Sequence, residues 1–183
     1  MISLIRRRLL AAAAALPVVP AFAQTRPLTC GELTAAQTAG PFFKTNTPLR
    51  VSLVEAGSKA PRLVVTGQVL SARCLPVANA LLDFWHADED GDYDNRGFRY
   101  RGHQFTDAQG RYRLATIVPA EYPGRTRHIH VKVQAPGKRV LTTQLYFPGD
   151  PGNAKDGLYE RDLEMRMAKS ATAEGTFDFV VEA

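Results

Sequence analysis

The sequence predicts an all-β fold: an antiparallel or mixed β-sandwich with long loops and little helix. Three observations predict it. Short runs rich in β-branched and aromatic residues recur along the chain, turn-forming clusters separate them about every ten residues, and helical periodicity is weak.

The elements follow in order. Residues 62–69 (RLVVTGQV) are β-branched, and 80–87 (ALLDFWHA) form a short apolar run between turn-formers. Residues 111–117, 128–134, 140–147 and 176–182 have the same character. The clusters EDGD (89–92), DAQG (107–110), APG (135–137) and PGDPGN (148–153) stand between them as turns. Residues 31–38 (GELTAAQT) have room for one helical turn and 156–168 for a short helix. With no repeat and no linker, residues 24–183 make one domain, long enough to bury a core.

Residues 1–23 stand apart. MISLIRRRLLAAAAALPVVPAFA has a basic start at Arg6, Arg7 and Arg8, an apolar stretch, and small residues around Ala21 and Ala23. This predicts an export signal cleaved near Ala23, and a periplasmic or extracellular mature protein. The paired arginines before Leu9 and Leu10 resemble a twin-arginine signal, and a general secretory signal fits the same residues. Pro17 and Pro20 interrupt a run already short for a membrane span, so none is expected in the mature chain.

The segment also accounts for most of the charge. Removing its three arginines leaves 20 basic against 18 acidic residues, a formal +2 in place of +5. That balance offers no basic face for nucleic acid. Cys30 and Cys74 are the two cysteines, and in an exported protein the pair suggests a disulfide; two buried thiols are the alternative.

Chemistry is concentrated at His128-Ile129-His130, which holds two of the four histidines. On a strand their imidazoles share a face, while Ile129, Val131 and Val133 point into the core. Two imidazoles at i and i+2 can converge on a cation, but such a site needs further donors. In ADEDGDYDN (87–95), Asp88, Asp90 and Asp92 have the spacing of a calcium loop. Gly91 comes early for that motif and no helices flank it, so an acidic surface turn is expected.

Four blocks carry a resemblance: LLDFWHADEDGDYD, TDAQGRYRLATIVPAEYPGR, RTRHIHVKV and LTTQLYFPGDP, in that order. With TAGPFF ahead of them, they resemble the intradiol ring-cleavage dioxygenases, non-haem iron(III) enzymes that open catechols, from about Thr38 to Pro151. The resemblance implies cleavage of a catechol-type substrate by O2 between its hydroxylated carbons, giving a cis,cis-muconate. It implies iron ligands at Tyr93, in W-x-A-D-x-x-G-x-Y, and at Tyr122, in P-x-x-Y-P. His128 and His130 complete the set. Phenolate is a hard anionic donor suited to iron(III), whose charge deprotonates a phenol that otherwise titrates near ~10.

By the same resemblance, Tyr122 leaves the metal and takes up a substrate proton. Arg125, three residues before His128, stabilises charge developing on the ring, and Gln144 lies beside the substrate with Tyr146 on the same face. A solvated loop arginine and packed strand residues are the plainer readings of these three. His86 and His103 match no ligand position, and Trp85 is expected in the core.

The chain departs from the pattern in two places. Only Pro123 and Gly124 separate Tyr122 from Arg125, where the family carries a longer insertion, and Arg127 replaces a small residue. A more open pocket follows, suited to larger or plant-derived phenolics. Two other readings stay open: an exported binding module without turnover, and a copper or zinc protein built on the His128–His130 pair.

Overall fold

A computed structural model of the chain describes residues 31–168 and 173–183. The expected export segment and Cys30 lie outside the described residues. Cys74 is disulfide-bonded and carries no free thiol.

Among the described residues, nine strands form two sheets. They are β1 (Arg62–Ser71), β2 (Leu81–Trp85), β3 (Arg101–Phe105), β4 (Arg111–Ile117), β5 (His128–Gln134), β6 (Leu141–Tyr146), β7 (Arg166–Ala168), β8 (Ala173–Thr176) and β9 (Phe179–Val181). One sheet runs β4-β1-β8-β7, with β9 also paired to β1; the other runs β3-β2-β5-β6. The second sheet is antiparallel throughout, whereas β8 and β9 join β1 in parallel, so the sandwich is mixed. No helix among the described residues is long and apolar enough to cross a membrane.

Alternation along the strands builds the core. Leu63, Val65 and Val69 of β1 and Leu114 of β4 pack against Leu82 and Phe84 of β2 and Ile129, Val131 and Val133 of β5. Each of these side chains is fully buried, contributing about 2 kcal/mol on removal from water.

The alternate residues of the four-stranded sheet face outward, and they position the site. Strand register sets Arg101 beside Trp85, Trp85 beside His130, and His130 beside Gln144. The next row pairs His128 with Tyr146. These residues would face water on a bare sheet, yet all are buried, because the segment around Phe42 and Phe43 and the loops after β2 and β4 cover this face.

Three local expectations are corrected. Residues 31–38 form no helical turn; they run extended, with Thr34 N–H donating to Val180 at 2.9 Å and Gln37 N–H to Thr142 at 2.7 Å. Those bonds satisfy open edges of β9 and β6, which a helical turn would leave bare. No α-helix forms over 156–168 either. One-turn 3-10 segments at Pro151–Lys155 and Arg161–Leu163 precede β7, which pairs with β8. The single strand expected over 176–182 is two short strands, divided where the Asp178 carboxylate takes the Gln68 N–H at 2.8 Å. Strand β3 was not expected at all: RGHQF is polar, and a long loop separates it from its partner β2.

Candidate metal centre

The two imidazoles of β5 point out of the same face and meet, Nε2 to Nε2, at 3.1 Å. The His128 ring is oriented from behind: Nδ1 lies 2.6 Å from the Thr126 carbonyl and donates to it. Its Nε2 therefore presents a lone pair. Tyr93 Oη approaches that same nitrogen to 3.2 Å. Tyr93 arrives there because the Asp88 carboxylate accepts the N–H groups of Asp90 and Asp92, curling the acidic turn. The turn is closed by its own side chain, and Asp90 and Asp92 stay exposed, as an acidic surface turn requires.

Tyr93 and Tyr122 are brought together by a close backbone approach. Gly91 has φ +90°, and a Cβ there would collide with the Glu121 carbonyl oxygen; Ala120 N–H also donates to Asp88 at 3.0 Å. Phe42 then stacks on Tyr93 with ring centroids 4.5 Å apart and meets Tyr122 edge-on at 5.3 Å. The Tyr93 and Tyr122 rings stand 5.8 Å apart. Tyr93 is buried and Tyr122 half-buried, at the rim.

The short Tyr122–Arg125 connection is a tight turn: Arg125 N–H donates to Tyr122 at 2.8 Å, and Gly124, at φ +80°, follows Pro123. The turn holds Arg125 beside the imidazoles. Its Nε lies 2.9 Å from both Asp156 oxygens, and Nη2 reaches Gln144 Oε1 at 2.6 Å and Tyr146 Oη at 3.3 Å. Gln144 is anchored in turn by Nε2 on the Thr38 carbonyl at 3.0 Å. Arg125 is thus not a solvated loop residue. His86 and His103 stay out of the cluster: His86 is buried between Ala87 O and Thr116 Oγ1, and His103 bonds the Thr47 carbonyl.

Electrostatics favour neutral imidazoles. Burial lowers the pKa of His128 to about 4 and that of His130 well below the usual range, the latter helped by the charges of His128 and Arg125. Burial pushes the Tyr93 phenol well above its ordinary value, against the pull of Arg125 and Arg101.

These groups fit a metal ion better than they fit one another. Tyr93 Oη and His130 Nε2 compete for a single lone pair on His128, and His130 Nδ1 is buried without a partner among the described residues. Donors about 2.1 Å from a shared cation stand roughly 3 Å apart, as these do. A cation between them would use all three lone pairs together, and two imidazoles with phenolates form a mixed N/O set of the kind iron accepts. Tyr122 is the neighbour placed to add a second phenolate.

Other contributors were not read from the sequence. Asp156 lies in a turn-rich stretch and gives no local sign of its role on Arg125. Phe42 and Phe43 belong to TAGPFF, which had been noted only as the edge of a resemblance. Phe43 packs on Trp85 at 5.0 Å, and Trp85 in turn stacks flat on His130 at 4.8 Å.

Comparisons with known proteins give the chain's family and fold. A family model described as Dioxygenase matches residues 38–183. The protocatechuate 3,4-dioxygenase beta chain of Burkholderia cepacia is 38% identical over 140 residues, covering 62% of this chain and 59% of that protein. The chain therefore spans about three fifths of that relative's length. The dioxygenase domain of a dioxygenase carbohydrate-binding protein fusion from Streptomyces sp. SirexAA-E superposes with a TM-score of 0.81 at 52% identity, covering 83% of this chain and 99% of that domain. For 3-chlorocatechol 1,2-dioxygenase from Rhodococcus opacus 1CP the TM-score is 0.73 at 27% identity, covering 80% of this chain and 71% of that one.

Proposed function

Because the chain belongs to the intradiol ring-cleavage dioxygenase family, we propose that it cleaves a catechol-type aromatic with O2 between the two hydroxylated carbons, yielding a cis,cis-muconate-type product. Tyr93, Tyr122, His128 and His130 hold a non-haem iron(III) in this reading. The observation that carries it is the convergence of Tyr93 Oη, His128 Nε2 and His130 Nε2 within 3.2 Å of one another along the chain of contacts.

Iron(III), when bound by Tyr93, Tyr122, His128 and His130, would supply Lewis-acid chemistry toward the substrate's hydroxyl oxygens. The chain's own groups do the rest. Thr126 O fixes the His128 tautomer, so that Nε2 faces the site. Trp85 and Phe42 wall off water behind His130 and Tyr93. Tyr122, half-buried on a turn, swings clear and accepts a hydroxyl proton from the substrate at Oη. The Arg125 guanidinium, held by Asp156 and Gln144, lies where negative charge develops on the ring. The tight Tyr122–Arg125 turn leaves the rim open to bulky ring substituents.

We also read residues 1–23 as an export signal, placing the mature domain, residues 24–183, in the periplasm or outside the cell. The disulfide-bonded Cys74 suits an oxidising compartment.

The test of activity is oxygen uptake by the iron-loaded protein with a panel running from catechol to bulkier plant-type catechols. A muconate should accumulate with at least one of them. Iron-replete protein that consumes no oxygen with any catechol would favour a binding module instead.

A further inference from the structure

Arg101, in β3, is 1% exposed, although it belongs to a strand that needs no cation. Its Nε donates to the Asp94 carbonyl at 3.0 Å and its Nη1 to the Phe42 carbonyl at 2.6 Å. One guanidinium therefore clamps the residue after Tyr93 and the residue whose ring stacks on Tyr93. Nη2 is buried with no hydrogen-bond partner among the described residues.

No carboxylate among the described residues forms an ion pair with it. The nearby acids are engaged elsewhere: Asp94 accepts the N–H groups of Arg96, Gly97 and Arg99, and Asp83 takes the Thr47 hydroxyl. A buried cation without an anion is costly by several kcal/mol. The ring of Tyr93 lies 6.0 Å from the Arg101 guanidinium carbon. Asp94 and Asp83 act on it through space without pairing, and a phenolate at Tyr93 would add a further negative charge against it.

We propose that Arg101 is a positioning residue that serves Tyr93 as its counter-charge, fixing the ring between Phe42 and Asp94 and setting how readily the phenolate gives up electron density. The inference rests on Tyr93 being an iron(III) ligand. A cation beside the ring stabilises an electron there, so it raises the energy of tyrosinate-to-iron charge transfer; a buried positive charge also raises the iron(III)/iron(II) potential.

The test compares iron-loaded wild type, Arg101→Gln and Arg101→Lys by visible absorption and by redox titration. Arg101→Gln should move the charge-transfer maximum to longer wavelength and lower the potential, while Arg101→Lys, which keeps the charge, should leave the maximum in place. A wild-type maximum and potential in Arg101→Gln at full iron loading would overturn the proposal. Should Arg101→Gln fail to fold, Arg101→Lys still decides: a maximum displaced to longer wavelength despite the retained charge overturns it. A wild-type protein that holds iron without any charge-transfer band would instead defeat the ligand assignment beneath it.

Discussion

Arg125 and Asp156, distant in sequence, meet with Nε 2.9 Å from both carboxylate oxygens. The carboxylate also accepts the N–H groups of Thr126 and Leu158, at 3.0 and 2.9 Å. Burial works to raise the Asp156 pKa, but these bonds outweigh it and hold the group below the ordinary carboxylate range. The guanidinium is thereby presented to Gln144 by a fixed anion.

Asp156→Asn should free Arg125 to swing out of the site. We expect kcat/KM for the preferred catechol to fall by roughly tenfold to a hundredfold, with the visible band of the iron-loaded protein kept but moved to longer wavelength, since no ligand is touched while a positive charge acting on Tyr93 is withdrawn. Steady-state kinetics beside an absorption spectrum check both halves.

Acid stability depends on His86. Buried between Ala87 O and Thr116 Oγ1, its pKa is lowered to about 4, chiefly by burial. In the unfolded chain it takes a proton below about 6.5, and in the folded chain it does not until near 4. Stability is therefore lost as pH falls from about 6.5 toward 4, by up to roughly 1.4 kcal/mol per pH unit. His128 and His130 share the direction in iron-free protein, so the difference between wild type and His86→Gln isolates this contribution. Urea melts of the two proteins across that window should show a shallower slope for the variant.

Gly91→Ala should separate the Tyr93 and Tyr122 segments. The added Cβ would sit in the Glu121 carbonyl at a positive φ, costing about 2 kcal/mol or more. Lower iron content per chain, with the melting temperature reduced by several degrees, is the expected outcome of metal analysis and thermal melts.

What was legible in the sequence was periodic or local. Strands β4 and β5 occupy the residues their β-branched runs mark, and Ile129, Val131 and Val133 are fully buried as their alternation requires. The shared face of His128 and His130 follows from the same alternation. Strand β3 was hidden because Arg101 is buried by loops that close over the sheet while Gln104, on the opposite face, is buried against β4, so polarity misreports their position. Residues 31–38 were misread for a related reason: alanines and threonines there tolerate a helical turn, but sheet edges far along the chain claim their backbone groups. Asp156 and Arg101 act through long-range contacts, and neither leaves a spacing signal.

The most direct measurement is the visible spectrum of the iron-loaded protein before and after Tyr93→Phe, at matched iron content. A tyrosinate-to-iron(III) band that colours the wild type reddish, and weakens and shifts in the variant, is what the four-ligand site predicts. An iron-replete wild type without that band, or a variant with an unaltered spectrum, would contradict it.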